Sequence, residues 1–277
     1  MSNGAAEATA RLDSFVDAYR ANGYYFPLPA VSAEEAASLR TRLEAFEASH
    51  GGPLKSEYRQ KTHLLFTWLA DLVRDPRILD VVEAIVGPHI LVWQTTLFIK
   101  EPHDEGFVSW HQDSTYWGLS EPEVVTAWVA LSPSTLESGC VRVIPGTHMV
   151  DQVAHVETRA AKNMLTRGQE IAVEVDERQA VAMQLRPGEM SLHHIRTFHG
   201  SEPNRSGDRR IGFAIRYIPT RICQLEVQGD SATLVRGRDL YGHFELERAP
   251  ERDFDREAVE YHRAIMQRRH GIYGKAG

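Results

Sequence analysis

The 277-residue chain has 42% hydrophobic and 25% charged residues, ordinary values for a globular protein with ample length for a large core. Its formal charge of −7 argues against nucleic acid or an anionic membrane as a standing partner, since both are polyanions. Two cysteines in apolar segments, Cys140 and Cys223, argue against a disulfide framework. With no charged-then-apolar leader and no apolar run of about 18 residues, the expected location is the cytoplasm.

Residues 6–22 place Leu12, Phe15, Val16 and Tyr19 at i, i+3, i+4, i+7 spacing, which predicts an amphipathic helix ended by Gly23. Tyr24–Pro27 reads as a short strand. Ser32 and Glu35 form a capping box for a helix carrying Leu39, Leu43 and Phe46, and Asp75-Pro76 opens another that closes at Gly87-Pro88. From 89 to about 220 the segments are short, rich in Val, Ile, Thr and aromatics, and separated by turn formers, the signature of strands. Two polar stretches, 101–107 and 151–170, read as loops at a barrel rim and as a candidate lid. Residues 250–277 return to helical spacing with Phe254, Val259 and Ile265. No linker or repeat interrupts the chain, so the expectation is one domain over 1–277. It has a helical N-terminal part at about 6–88, a β core at about 89–220 and a C-terminal helix. The fold class is α+β with a mainly β barrel core, open at one mouth.

Within the β core, His111 and Asp113 stand as H-x-D, and His199 follows far downstream. Two histidines and one carboxylate are the facial ligand set of Fe(II), which leaves three coordination positions open for chemistry. On a strand, residues i and i+2 share a side, so His111 and Asp113 reach one ion while Gln112 faces away. The second histidine comes from another strand, to which the segment 185–194 leads. His193 and His194 remain rival ligands; six residues at about 3.3 Å separate His193 from His199 by about 20 Å unless the strand bends. His199 is preferred because a turn-rich stretch and Arg210 follow it. If that stretch closes a hairpin, the Arg210 guanidinium returns towards the metal, shaped to clamp a carboxylate with two parallel hydrogen bonds.

Arg209, of opposite parity, is expected to be a surface charge, and Gln94, on the apolar strand 91–99, to line the barrel. Lys61, His63 and Lys100 have no assignable direction. His148 reads as a loop residue, and Tyr116, Trp117 and Met149 as packing or substrate wall.

Taken with the Trp128 strand, Gly139–His148, and His199-Gly200-Ser201 with Pro203, Asn204, Ser206 and Arg210, the H-x-D motif resembles the phytanoyl-CoA dioxygenase family over roughly residues 12–250. The resemblance implies a double-stranded β-helix and a dioxygenase using Fe(II), 2-oxoglutarate and O2. It also implies His111, Asp113 and His199 as iron ligands, Arg210 and Ser201 as holders of the far carboxylate of 2-oxoglutarate, and Trp128 as pocket lining. The implied reaction hydroxylates an unactivated carbon and releases succinate and CO2. Asp113 stands where related halogenases carry a small residue, which favours oxygenation. A cupin-type metal enzyme without 2-oxoglutarate and a non-catalytic metal- or ligand-binding barrel are the alternatives. The partner expected is a small or medium polar metabolite, because no basic cluster suited to a CoA phosphate accompanies the motif.

Overall fold

A computed structural model describes residues 14–158, 162–165, 169–226 and 228–273. Helix α1 is described over 14–22, where Phe15, Val16 and Tyr19 are buried; Leu12, from the same expected face, lies outside the described residues. After strand β1 (Tyr24–Pro29), α2 (Ala33–Ser49) starts with the anticipated capping box: Glu35 N donates to Ser32 Oγ at 3.1 Å and Ser32 N to Glu35 Oε2 at 2.6 Å. A short α3 (Thr67–Leu72) leads to α4 (Pro76–Val86), capped by Asp75 and stopped at Gly87.

Twelve more strands follow among the described residues: β2 (Ile90–Lys100), β3 (Val108–His111), β4 (Val125–Ala130), β5 (Val141–Val143), β6 (His155–Glu157), β7 (Gln169–Ile171), β8 (Val181–Ala182), β9 (Glu189–His194), β10 (His199–Ser201), β11 (Arg210–Pro219), β12 (Ser231–Arg236) and β13 (Glu245–Leu246). A last helix, α5 (Arg256–Tyr273), ends the described chain. Seven strands form a large sheet in the order β1-β9-β4-β11-β2-β12-β13, and four form a small one, β3-β10-β5-β8. Together they make the jelly-roll core that the resemblance implies, with helices flanking it as the sequence pattern predicts.

Strand β11 is the axis of this arrangement. Ile211, Phe213, Ile215 and Tyr217 point outwards into the main apolar core under the helices. The alternate row, Arg210, Gly212, Ala214 and Arg216, faces the small sheet. Gly212 is required there, since an added Cβ would lie 1.8 Å from the Trp128 ring.

Three expectations need correction. His199 does not continue the strand of His193: β9 belongs to the large sheet and β10 to the small one, so the chain turns back between them. Arg210 does not return by a hairpin either, because β10 and β11 lie in different sheets and the turn-rich stretch crosses between them. The stretch 151–170 is not wholly a loop, since β6 pairs with β7; residues 159–161 and 166–168 lie outside the described residues.

Lys61 and His63 belong to a buried polar network away from the H-x-D motif. Lys61 Nζ donates to Trp93 O at 2.8 Å, to Ser231 O at 2.9 Å and to the Glu247 carboxylate. Glu247 also accepts from Ser231 and Thr233 hydroxyls, both at 2.7 Å. Removing one partner of such a pair leaves a buried charge uncompensated. Glu247→Ala is therefore expected to destabilise the protein by about 3 to 5 kcal/mol in urea unfolding; a loss under about 1 kcal/mol would show that Lys61 needs no carboxylate.

Candidate metal centre

His111 ends β3 and His199 begins β10, and the two are register partners across the small sheet. Their rings lie 4.0 Å apart, centroid to centroid. His111 Nδ1 donates to Ser109 O and His199 Nδ1 to Thr197 O, each at 2.9 Å. A carbonyl only accepts, so each neutral ring carries its proton on Nδ1 and presents the Nε2 lone pair. Burial, with His111 beside it, drives the His199 imidazole well below its usual pKa.

Asp113 lies beyond the end of β3 and opens a short helical turn, Asp113–Tyr116. Gln112 is nevertheless extended (φ −106°, ψ 135°), so strand alternation carries through and Asp113 shares the His111 side. Gln112 turns away: its Nε2 donates to Arg196 O at 3.0 Å, and its Oε1 accepts from Val153 N at 2.9 Å. Asp113 Oδ1 is 3.3 Å from His111 Nε2 and 3.9 Å from His199 Nε2, and Oδ2 has no hydrogen-bond partner. Burial raises the Asp113 pKa, yet His111, His199 and Arg216 outweigh it and hold the carboxyl below its ordinary range. One ligand atom from each of the three residues lies within 4.8 Å of the others. Such a convergence of acceptors suits a cation, and the pinned Nδ1 atoms are how metal-binding histidines are oriented.

These groups line one cavity, together with Thr126, His193 and Arg216. At one end sits Arg210, 1% exposed, with the Trp128 ring 5.3 Å from its guanidinium. Its Nη1 donates to Gly139 O at 2.7 Å, while Nε has no partner. Gly139 adopts φ +70°, and a Cβ there would meet Glu202 O at 2.1 Å, so the carbonyl that holds Arg210 depends on glycine. Burial lowers the Arg210 pKa to about 10, which leaves it charged at neutral pH.

Lys100 is the register partner of Arg210 and is fully buried. Its Nζ donates to Ser201 Oγ at 2.8 Å and to the Ser201 and Glu202 carbonyls. Burial, then the charge on Arg210, lowers its pKa to about 6. Neither Arg210 nor Lys100 has a carboxylate in ion-pair contact among the described residues. Arg209 does: it binds Glu47 at 2.8 Å and Glu101 at 2.9 Å, so it is a paired, largely covered residue rather than a free surface charge.

Ser201 and Trp128 line the cavity. Gln94 does not; it shares the inward row with Arg216, and its Nε2 lies 3.3 Å from Gln60 Oε1. His193 lines the cavity with its ring 4.6 Å from that of His199, nearer than any continuous strand permits. Burial pushes its pKa down to about 4. His194 is instead packed beside His148, whose Nε2 lies 2.9 Å from Arg20 O. Trp117 packs on Trp93 at 5.0 Å, Met149 is exposed, and the Tyr116 side chain lies outside the described residues.

Within the 151–170 stretch, the described residues 162–165 reach the cavity. Leu165 lines the cavity, Asn163 Nδ2 donates to Ser109 Oγ at 2.8 Å, and Phe107 pairs with Asn163. If it closes over substrate, hydrogen exchange at 101–107 and 151–165 is expected to slow on substrate addition while exchange in β3 stays unchanged. Equal, substrate-independent protection of both would rule out a lid.

Comparison with known proteins agrees with this geometry. The family described as phytanoyl-CoA dioxygenase matches residues 19–212. A probable alpha-ketoglutarate-dependent hypophosphite dioxygenase of Stutzerimonas stutzeri is 29% identical over 176 residues, covering 62% of this chain and 60% of its own. The chain spans 60% of the length of this relative and 48% of that of the bovine peroxisomal phytanoyl-CoA dioxygenase, to which it is 28% identical over 164 residues. Among solved structures, the apo non-heme monooxygenase ThoJ superposes with a TM-score of 0.83 at 34% identity, covering 94% of this chain and 97% of its own. CytC3 with Fe(II) and alpha-ketoglutarate superposes with a TM-score of 0.63 at 25% identity, covering 87% and 94%.

Proposed function

The chain belongs to the phytanoyl-CoA dioxygenase family, and from that premise we propose that it is an Fe(II)- and 2-oxoglutarate-dependent oxygenase. In this reading one domain hydroxylates an unactivated carbon of a small or medium polar metabolite, with succinate and CO2 as coproducts. The observation that carries it is the buried, charged guanidinium of Arg210, which has no carboxylate partner among the described residues, in the cavity lined by His111, Asp113 and His199. Buried charges are ordinarily paired, so the cavity calls for an anionic guest near a metal.

His111 and His199 hold the metal through Nε2 and Asp113 through its carboxylate. Iron with 2-oxoglutarate supplies the activation of O2. Arg210 receives the far carboxylate of 2-oxoglutarate through its uncommitted N–H groups. Lys100 positions Ser201 through its Nζ and takes up its charge when the anion binds beside it. Trp128 walls the same end and keeps water from it. Gln94, which is not among the lining residues, has no part in this assignment.

Lys100 gives the reading a pH signature. A carboxylate beside it favours the charged form, so its pKa rises from about 6 when 2-oxoglutarate binds. Affinity is then greatest below pH 6 and weakens as pH climbs through the higher, bound value. Titrations between pH 6 and 8.5 are expected to show this slope, and Lys100→Met to flatten it and weaken binding. An identical slope in the variant would remove Lys100 from the site.

The function itself is tested by incubating the protein with Fe(II), 2-oxoglutarate and candidate metabolites, and measuring succinate and CO2. Metal-dependent, metabolite-stimulated succinate is the expected result. Substrate oxidation without succinate would indicate a metal enzyme that does not use 2-oxoglutarate, and metal binding without turnover a binding barrel.

A further inference from the structure

At the other end of the cavity, one row of side chains crosses the inner face of the large sheet. His193 on β9 is the register partner of Thr126 on β4, and Thr126 is that of Arg216 on β11. All three line the cavity and are 3%, 0% and 6% exposed. Each carries a polar atom without a partner: His193 Nδ1, Thr126 Oγ1 and Arg216 Nε. Arg216 is held in place, with Nη1 donating to Thr96 Oγ1 at 2.8 Å and the Phe98 and Trp117 rings each 5.7 Å from its guanidinium. Its field reaches Asp113, yet it makes no ion pair among the described residues.

Native interiors rarely leave three neighbouring buried polar groups unsatisfied unless something outside the chain completes them. Arg210 and Arg216 stand on the same inward row of one strand, six residues or about 20 Å apart along the backbone. The cavity thus has a cationic group at each end, and the family reaction accounts for one of them.

We propose that Arg216, Thr126 and His193 form the recognition site for an oxyanion on the prime substrate, a carboxylate or a phosphonate. The proposal rests on the reading in which Arg210 takes 2-oxoglutarate. Arg216 grips the oxyanion through its fork of donors, and Thr126 adds its hydroxyl. His193 contributes a ring N–H. The substrate is then fixed by its charged group, with a carbon presented towards the metal.

The test uses the full chain, loaded with Fe(II) and 2-oxoglutarate without oxygen and titrated calorimetrically with phenylacetate, phenylphosphonate and the neutral control phenylacetamide. The wild type is expected to bind at least one anion and not the amide; the tighter anion identifies the oxyanion. Arg216→Gln is expected to weaken that binding roughly ten- to a hundredfold, as for the loss of hydrogen bonds to a charged group, with 2-oxoglutarate affinity unchanged. Thr126→Val keeps the shape and removes an unsatisfied hydroxyl, so a merely structural residue would leave anion binding intact. Recognition predicts weaker anion binding with no fall in Tm. Anion affinity unaltered in both variants, or neither anion binding the wild type, would overturn the proposal. So would a loss of 2-oxoglutarate affinity in Arg216→Gln equal to the loss for the anion, which would assign Arg216 to the cosubstrate. Failure of the wild type to bind 2-oxoglutarate would instead contradict the function on which the proposal rests.

Discussion

Asp113→Ala is expected to abolish hydroxylation and to weaken metal binding by roughly a hundredfold or more, since losing even an outer partner of a metal ligand costs ten- to a hundredfold. Asp113 is the carboxylate among the three converging groups, and its backbone is fixed by donation from Asp113 N to Ile195 O at 3.0 Å. The variant keeps the two histidines in place but leaves their lone pairs without an anionic co-ligand. Chloride is not expected to convert the variant into an efficient halogenase. Halogenation also demands a pocket that stabilises the halide and holds the substrate away from hydroxyl transfer. The check is metal content with product analysis in chloride buffer; efficient chlorinated product would contradict this view of the site.

Arg210→Ala is expected to raise the 2-oxoglutarate requirement far more than that for the prime substrate. A charge-assisted contact of this kind contributes about 1.5 to 3 kcal/mol, or roughly ten- to a hundredfold in affinity. Arg209→Ala is the control, because Arg209 faces Glu47 and Glu101 rather than the cavity. Its expected effect is a modest loss of stability with 2-oxoglutarate affinity intact. Equal effects of the two variants on 2-oxoglutarate affinity would mean that the clamp lies elsewhere.

The sequence carried the local features well because they are local. The capping box at Ser32 and Glu35, the Asp75 start and Gly87 stop of α4, and the shared side of His111 and Asp113 all follow from backbone periodicity over a few residues. The partition of strands between two sheets is not local, and the inferences that depended on it failed. A 20 Å separation of His193 from His199 holds for a continuous strand, whereas the turn between β9 and β10 brings the rings to 4.6 Å. Likewise, the pairing of His111 with His199 is set by how two distant strands dock.

Lys100 was legible only as a polar residue on an apolar strand; its direction follows from pairing with Arg210. Arg216 is different, because a signal was present. It stands six residues after Arg210 on one strand, so an inward Arg210 requires an inward Arg216. Gln94 shows the opposite limit: it does share the inward parity, yet a neighbouring Gln60 and the edge of the cavity decide that it is not wall.

Anaerobic equilibrium dialysis with Fe(II) and 2-oxoglutarate tests the central claim most directly. One iron and one 2-oxoglutarate per chain are expected, with tight retention of 2-oxoglutarate only when the metal is present. His199→Ala should lose both, and Arg210→Ala should lose 2-oxoglutarate while keeping iron. Full iron binding by His199→Ala, or 2-oxoglutarate retention independent of metal and of Arg210, would contradict the account.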